Sequence, residues 1–130
     1  IGGGKLNPRS ENIIFKGRLP HDEVPLMLST CDIFVLPTKN EGLSNAIVEA
    51  MACGLPVISS AKEFNYDILT KENSILIDPD NIDEISESIN FLINSDEDRK
   101  KLASGALKTA KELSIEKRAQ LILEWMEKRV

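Results

Sequence analysis

The fold of this 130-residue chain is decided by residues 40–58, NEGLSNAIVEAMACGLPVI. A polar loop leads there into an apolar segment that reads as a helix, with Ser44 as its N-cap. Gly54 stands at the usual C-terminal position of such a helix, and Pro56 prevents the helix from resuming. We therefore predict a helix that turns sharply into a buried strand at Val57.

Short apolar runs and helical patterns alternate on both sides of this unit, which is typical of βα units in a parallel sheet. The predicted strands are residues 13–15, 33–36, 57–59 and 75–77. The predicted helices are residues 23–29, 45–53, 64–69, 82–94, 97–110 and 115–129. The pattern predicts an α/β domain with a Rossmann-like parallel sheet flanked by helices.

Composition limits the functions that the chain can serve. Its 16 Lys and Arg residues are dispersed among 21 Asp and Glu residues, for a net charge of -5 at pH 7. This distribution lacks the basic face of a nucleic-acid-binding protein, so no nucleic-acid partner is expected. No apolar stretch approaches the roughly 20 residues that span a bilayer, and we expect a cytoplasmic protein. Because the chain starts at Ile1 without a methionine, we interpret residues 1–130 as one domain of a longer protein.

The loop between the second predicted strand and the capped helix is the candidate ligand site. Ligands of doubly wound sheets bind beyond the carboxyl ends of the strands, where this loop lies. The first turn of a helix presents free backbone N–H groups and a partial positive charge, which hold an anion without basic side chains. Gly42 allows the backbone to approach a ligand closely. The loop and the helix are therefore predicted to bind phosphate.

Two carboxylates accompany this anion site, Glu41 in the loop and Glu49 in the helix. A carboxylate can accept hydrogen bonds from a vicinal diol, as an acidic residue does with ribose in dinucleotide folds. Glu49 is the stronger candidate because its helix is otherwise apolar, and an unpaired charge buried there would be costly. A structural alternative stays open, in which Glu49 faces solvent or pairs with Lys39 or Lys62.

Residues 40–58 closely resemble the signature of the family-4, or group 1, retaining glycosyltransferases of the GT-B architecture. They contain the paired-glutamate motif of that family, with seven residues between Glu41 and Glu49. Similar residues continue backward through CDIFVLP at 31–37 to FKG at 15–17, and forward to ILIDPD at 75–80. The resemblance covers nearly the whole chain and implies the C-terminal, donor-binding domain of such an enzyme.

The resemblance also implies a ligand, a nucleotide diphosphate sugar, and a role for each residue of the site. Glu49 would bind the ribose hydroxyls, and Glu41 would bind hydroxyls of the donor sugar. The residues whose backbone would meet the sugar and the diphosphate are Gly42, Leu43 and Ser44. The residues that would flank the nucleobase are Gly17, Arg18 and Leu19. The acceptor, expected at a membrane surface, would bind the N-terminal domain of the same parent chain, so this chain alone would be inactive.

Two departures from the family pattern predict an incomplete donor site. The family usually carries a Lys and an Arg on the first strand and helix of this domain to neutralise the diphosphate. Residues 1–4 of this chain, IGGG, resemble the end of the family's second strand, so we expect that pair to be absent from the chain. Asp67 stands where the family often has a Glu. No cofactor or metal is expected, and the single histidine, His21, receives no role. A non-catalytic scaffold domain and a GT-B sugar-nucleotide epimerase remain alternatives.

Overall fold

The computed structural model describes residues 10–40, 44–114, 119, 123, 124 and 126–128. These residues contain three parallel strands in the order β1-β2-β3. In chain order, the elements are α1 (Val24–Leu28), β1 (Phe34–Leu36), α2 (Asn45–Ala52), β2 (Val57–Ser60), a 3-10 turn (Glu63–Asn65), β3 (Ser74–Ile77), α3 (Ile82–Asn94) and α4 (Asp96–Glu112). The α/β class predicted from the sequence is confirmed.

The central strand β2 is buried along its whole length, because helices cover both faces of the sheet. In register, Val57 of β2 lies beside Phe34 of β1 and Ser74 of β3. One face packs in a cluster formed by Ile58, Ile77, Leu92 and Leu102. The other face packs in a cluster formed by Ile47, Met51, Val57, Ile68, Leu69 and Ala106. This two-sided burial explains why β2 reads as a continuous apolar run.

Side-chain caps define where the helices begin. Ser44 Oγ accepts a hydrogen bond from the backbone N–H of Ile47 at 3.4 Å, so the predicted N-cap of α2 is confirmed. Asn81 caps α3 in the same way, and Ser95 caps α4. Gly54 follows α2 with φ of +72°, a left-handed conformation that glycine adopts without strain. The helix-to-strand turn is therefore built as the sequence indicates.

The predicted strand at residues 13–15 is wrong. The structure gives this stretch no regular secondary structure, and Ile14 is 79% exposed. A three-residue strand needs a neighbouring strand to satisfy its backbone, and within the described residues β1 pairs only with β2. Within the described residues, the sheet therefore has one strand fewer than predicted.

Two of the predicted helices, at residues 64–69 and 115–129, are not found as predicted among the described residues. The helix predicted at residues 64–69 is wrong: a single 3-10 turn forms at Glu63–Asn65, and the chain then continues in hydrogen-bonded turns. Most of the helix predicted at residues 115–129 lies outside the described residues. Across the part of the chain that the structure describes, no helix combines the length and the apolar character that crossing a bilayer requires.

Candidate functional site

A buried polar network lies where β1 and β2 end. Ser59 Oγ donates to the carbonyl of Leu36 at 2.7 Å, and Ser60 Oγ donates to the carbonyl of Thr38 at 2.5 Å. Asn65, which is almost fully buried, donates from Nδ2 to Ser59 Oγ at 3.2 Å and to the carbonyl of Ser60 at 2.8 Å. These bonds hold the first residues of the loop that leads to the candidate site.

The same loop is tied to the turn beyond β3. Lys39 forms an ion pair with Asp80, and the hydrogen bond and negative charge of Asp80 raise the pKa of Lys39 above its usual value. Asp78 closes that turn, because its side chain accepts a hydrogen bond from the backbone N–H of Asp80 at 3.0 Å. Both partners of the ion pair are largely exposed, so salt screens their attraction.

One polar atom in this region lacks a partner. Thr38 Oγ1 is buried and, among the described residues, has no hydrogen bond. Buried hydroxyl groups are almost always hydrogen-bonded, because burying one without a partner costs free energy. Thr38 therefore marks a locally unfavourable position between β1 and the Glu41 loop.

Glu49 lies on the second turn of α2, at the rim of a groove of about 340 Å³. The groove follows the open edge of β1, and apart from Glu49 and Cys31 its lining is apolar. It is lined by Val24, Leu28, Cys31, Ile33, Phe34, Val35, Leu36, Ala46 and Glu49. The side chain of Glu49 is 31% exposed, so the expectation of a fully buried charge is corrected to a carboxylate at a half-open rim.

The ionisable neighbour of Glu49 among the described residues is His21, whose Nδ1 lies 3.9 Å from Glu49 Oε1. Lys39, one of the two candidate partners from the sequence, pairs with Asp80 instead. The predicted ion pair between Glu49 and Lys39 is therefore not formed. No periodic pattern in the sequence indicated the contact between His21 and Glu49, because this contact depends on how α1 packs against α2.

Residues 8–109 match the family model of the glycosyl transferases group 1. The chain belongs to this family. It is 33% identical over 127 residues to an uncharacterised glycosyltransferase of Methanocaldococcus jannaschii, covering 90% of this chain and 36% of that protein. It is 30% identical over 104 residues to the GDP-mannose-dependent monoacylated alpha-(1-6)-phosphatidylinositol monomannoside mannosyltransferase of Corynebacterium glutamicum, covering 75% of this chain and 27% of that protein.

A solved structure shows the same architecture. The C-terminal domain of a group 1 family glycosyl transferase from Francisella tularensis superposes with a TM-score of 0.66 at 26% identity, covering 78% of this chain and 51% of that one. The fold is thus that of the C-terminal domain of the GT-B glycosyltransferases. The chain spans about a third or less of the length of the two curated relatives named above.

The predicted site residues of this group 1 domain fall into four sets. Ser44 and Glu49 share α2, on which Ser44 starts the helix. Gly17 adopts φ of +64°, which supports a tight turn before the exposed Arg18. Leu19 lines a different hollow, beside α1, and not the groove of Glu49. The predicted site residues that lie outside the described part of the chain are Glu41, Gly42 and Leu43.

The described residues offer no metal centre: among them, no three His, Cys, Asp or Glu side chains lie close enough together to hold an ion. The chemistry available on the described part of the site is thus that of a helix N-terminus, a carboxylate and an imidazole. Together these groups suit a ligand that carries both negative charge and hydroxyl groups.

Proposed function

We propose that this chain is the donor-binding part of a glycosyltransferase that moves a sugar from a nucleotide diphosphate sugar to an acceptor with retention of configuration. The observation that carries the proposal is Glu49. Its carboxylate stands at the rim of a groove, on a helix whose capped N-terminus begins only one turn away. One ligand can therefore donate hydrogen bonds from its hydroxyl groups to the carboxylate and also place a negative charge at the N-terminus of the helix.

The energetic argument concerns the free carboxylate. Among the described residues, His21 is the one ionisable side chain within ion-pairing distance of Glu49, and the separation is too long for a hydrogen bond. The carboxylate therefore retains acceptor capacity, which a ribose diol would use in bidentate fashion. A hydrogen bond to a charged group contributes about 1.5–3 kcal/mol, so this contact supports a substantial part of nucleotide affinity.

The other roles follow the family pattern and the local geometry. The first turn of α2, with the backbone of Gly42, Leu43 and Ser44, would hold the diphosphate and part of the sugar. Glu41 would accept from hydroxyls of the donor sugar. The nucleobase would lie against the turn of Gly17, Arg18 and Leu19. The name of the Corynebacterium glutamicum relative, a GDP-mannose-dependent enzyme, supports a nucleotide-sugar donor.

The test is calorimetric titration of the full-length parent protein with UDP, GDP and ADP sugars. At least one should bind, and Glu49→Gln should weaken that binding at least tenfold because it removes the charged acceptor. Glu87→Gln, the same change at an exposed position on α3, is the matched control and should leave the affinity unchanged. Unaltered affinity in Glu49→Gln, or no binding of any of the three sugars, would overturn the assignment.

A second prediction concerns the isolated chain. The acceptor site is expected on the N-terminal domain of the parent, so residues 1–130 alone should show no transfer to any acceptor that the parent uses. The measurement compares product formation by the parent and by the isolated chain at equal concentration. Transfer by the isolated chain at a rate near that of the parent would contradict the two-domain assignment.

A further inference from the structure

His21 lies on a short turn that leads into α1, and α1 packs against α2. The backbone N–H of Glu23 donates to the carbonyl of Pro20 at 3.0 Å, which closes the turn just before α1. Leu28 of α1 packs in a buried cluster with Ala50 of α2, the residue that follows Glu49. The position of the histidine relative to Glu49 is therefore determined by the packing of two helices.

The contact between the two side chains contributes little to folding. The His21 side chain is 91% exposed, and the 3.9 Å between its Nδ1 and Glu49 Oε1 exceeds the length of a hydrogen bond. Exposed ion pairs of this kind are worth little, because water screens them and ordering the side chains costs entropy. A structural role therefore does not account for the histidine at this position.

The gap between the two atoms fits one hydroxyl group. An oxygen about 2.7 Å from Glu49 Oε1 and about 2.9 Å from His21 Nδ1 makes ideal hydrogen bonds with both. With the observed separation of 3.9 Å, the two bonds meet at that oxygen at an angle of about 90°. A hydroxyl can donate to the carboxylate and accept from the imidazole N–H at this angle, since it has one donor and two lone pairs.

We propose that His21 is a further donor-binding residue, which donates from Nδ1 to the same ribose hydroxyl from which Glu49 Oε1 accepts. This inference rests on the proposed function, because it takes Glu49 as the ribose acceptor. The second oxygen of Glu49 remains available for the neighbouring hydroxyl of the diol. The recognised group is a vicinal diol with one hydroxyl held from two sides, which a deoxyribose cannot supply.

The experiment measures the affinity of each protein variant for each nucleotide, so that substitutions in the protein and missing hydroxyls in the ligand form a double-mutant cycle. The full-length parent is titrated with UDP, GDP and ADP, and with the 2′-deoxy and 3′-deoxy forms of the one that binds most tightly. His21→Ala should weaken binding of the ribonucleotide about fivefold or more. In that variant, the penalty for removing the bridged hydroxyl should shrink by about the factor that His21→Ala costs the ribonucleotide, since Glu49 is then the remaining partner of that hydroxyl.

Two further variants separate binding from other effects. His21→Asn places an N–H donor near the position of Nδ1 and should retain most of the affinity. Asp22→Asn, a change at the next exposed residue, should behave as the unaltered protein. The melting temperature should stay the same in all three variants, because the side chains are exposed.

The outcomes distinguish the two proposals. Unchanged ribonucleotide affinity in His21→Ala, or deoxy penalties equal to those of the unaltered protein, overturns the role of His21 while the donor site stands. Loss of discrimination against a deoxy form in Glu49→Gln but not in His21→Ala has the same meaning. Failure of every nucleotide to bind overturns the proposed function, and the role of His21 falls with it.

Discussion

At the scale of single residues, the buried side chain of Asn65 supplies hydrogen bonds that stabilise the loop after β2. The loop after β2 forms a single 3-10 turn at Glu63–Asn65 and not the predicted helix. Asn65 turns inward instead and bonds Ser59 and Ser60 at the end of β2. Those serines in turn hold the end of β1, so one amide supports the start of the candidate site.

Asn65→Ala should therefore lower the free energy of unfolding by about 1–3 kcal/mol, because the change leaves buried acceptors without their donor. The measurement is urea unfolding followed by circular dichroism. Asn90→Ala, a change at an exposed residue of α3, is the control and should cost less than about 0.5 kcal/mol. Equal effects of the two changes would show that the network contributes nothing to stability.

A substitution at Thr38 should have the opposite effect on the free energy of unfolding. Because its buried hydroxyl has no partner among the described residues, Thr38→Val replaces a desolvated polar group by a methyl of similar size. The free energy of unfolding should stay the same or rise by about 1 kcal/mol. Thr38→Ser keeps the hydroxyl and loses the methyl, so it should not stabilise. A clear loss of stability in Thr38→Val would show that the hydroxyl is satisfied in solution.

At the scale of elements, α4 is positioned by a close backbone approach. A Cβ atom at Gly105 would lie 2.0 Å from the carbonyl oxygen of Glu72, so only a glycine lets α4 reach the turn before β3. The neighbouring Asn73 is buried and bonds Thr109 Oγ1 of α4 at 3.0 Å. The backbone of the helix at Gly105 therefore lies directly against the backbone of the turn, with no room for a side chain at that point.

Gly105→Ala should destabilise the domain by about 1–3 kcal/mol, since overpacking outweighs the gain of about 1 kcal/mol in helix propensity. Thermal unfolding measures the effect. Ser104→Ala, an exposed change one residue earlier in α4, should be neutral or slightly stabilising and serves as the control. A stabilised Gly105→Ala variant would contradict the close approach.

At the scale of the whole molecule, the open edge of β1 is the main feature. Among the described residues β1 pairs with β2 alone, and Phe34 donates its N–H to Pro56 of the β2 side at 3.0 Å. Alternate residues of a strand direct their backbone groups to opposite sides, so Val35 directs its N–H toward the open edge. This edge also forms one wall of the Glu49 groove.

Amide hydrogen exchange should distinguish the open edge of β1 from the central strand β2. In the isolated chain, the Val35 amide should exchange at least about 100-fold faster than the Ile58 amide of the central strand, because no strand among the described residues pairs with it on that side. In the full-length parent, a further strand at this edge would slow the exchange of Val35 and leave Ile58 unchanged. Equal protection of both amides in the isolated chain would contradict an open edge.

The sequence by itself determined the parts of this protein that depend on neighbouring residues. The capped start of α2 at Ser44, its end at Gly54 and the bounds of α3 follow from short-range chemistry, because caps, turns and helical periods act over a few positions. The class of the sheet follows as well, since buried parallel strands are apolar throughout. The paired-glutamate stretch likewise indicated the family before any coordinates did.

Only the tertiary structure decided the rest. It left residues 13–15 without a strand partner, and it placed His21 beside Glu49 although 27 residues separate them in sequence. It also moved Lys39 away from Glu49 and onto Asp80. The physical reason is the same in each case: pairing and ion contacts depend on which elements pack together, and that packing is not encoded in any local period.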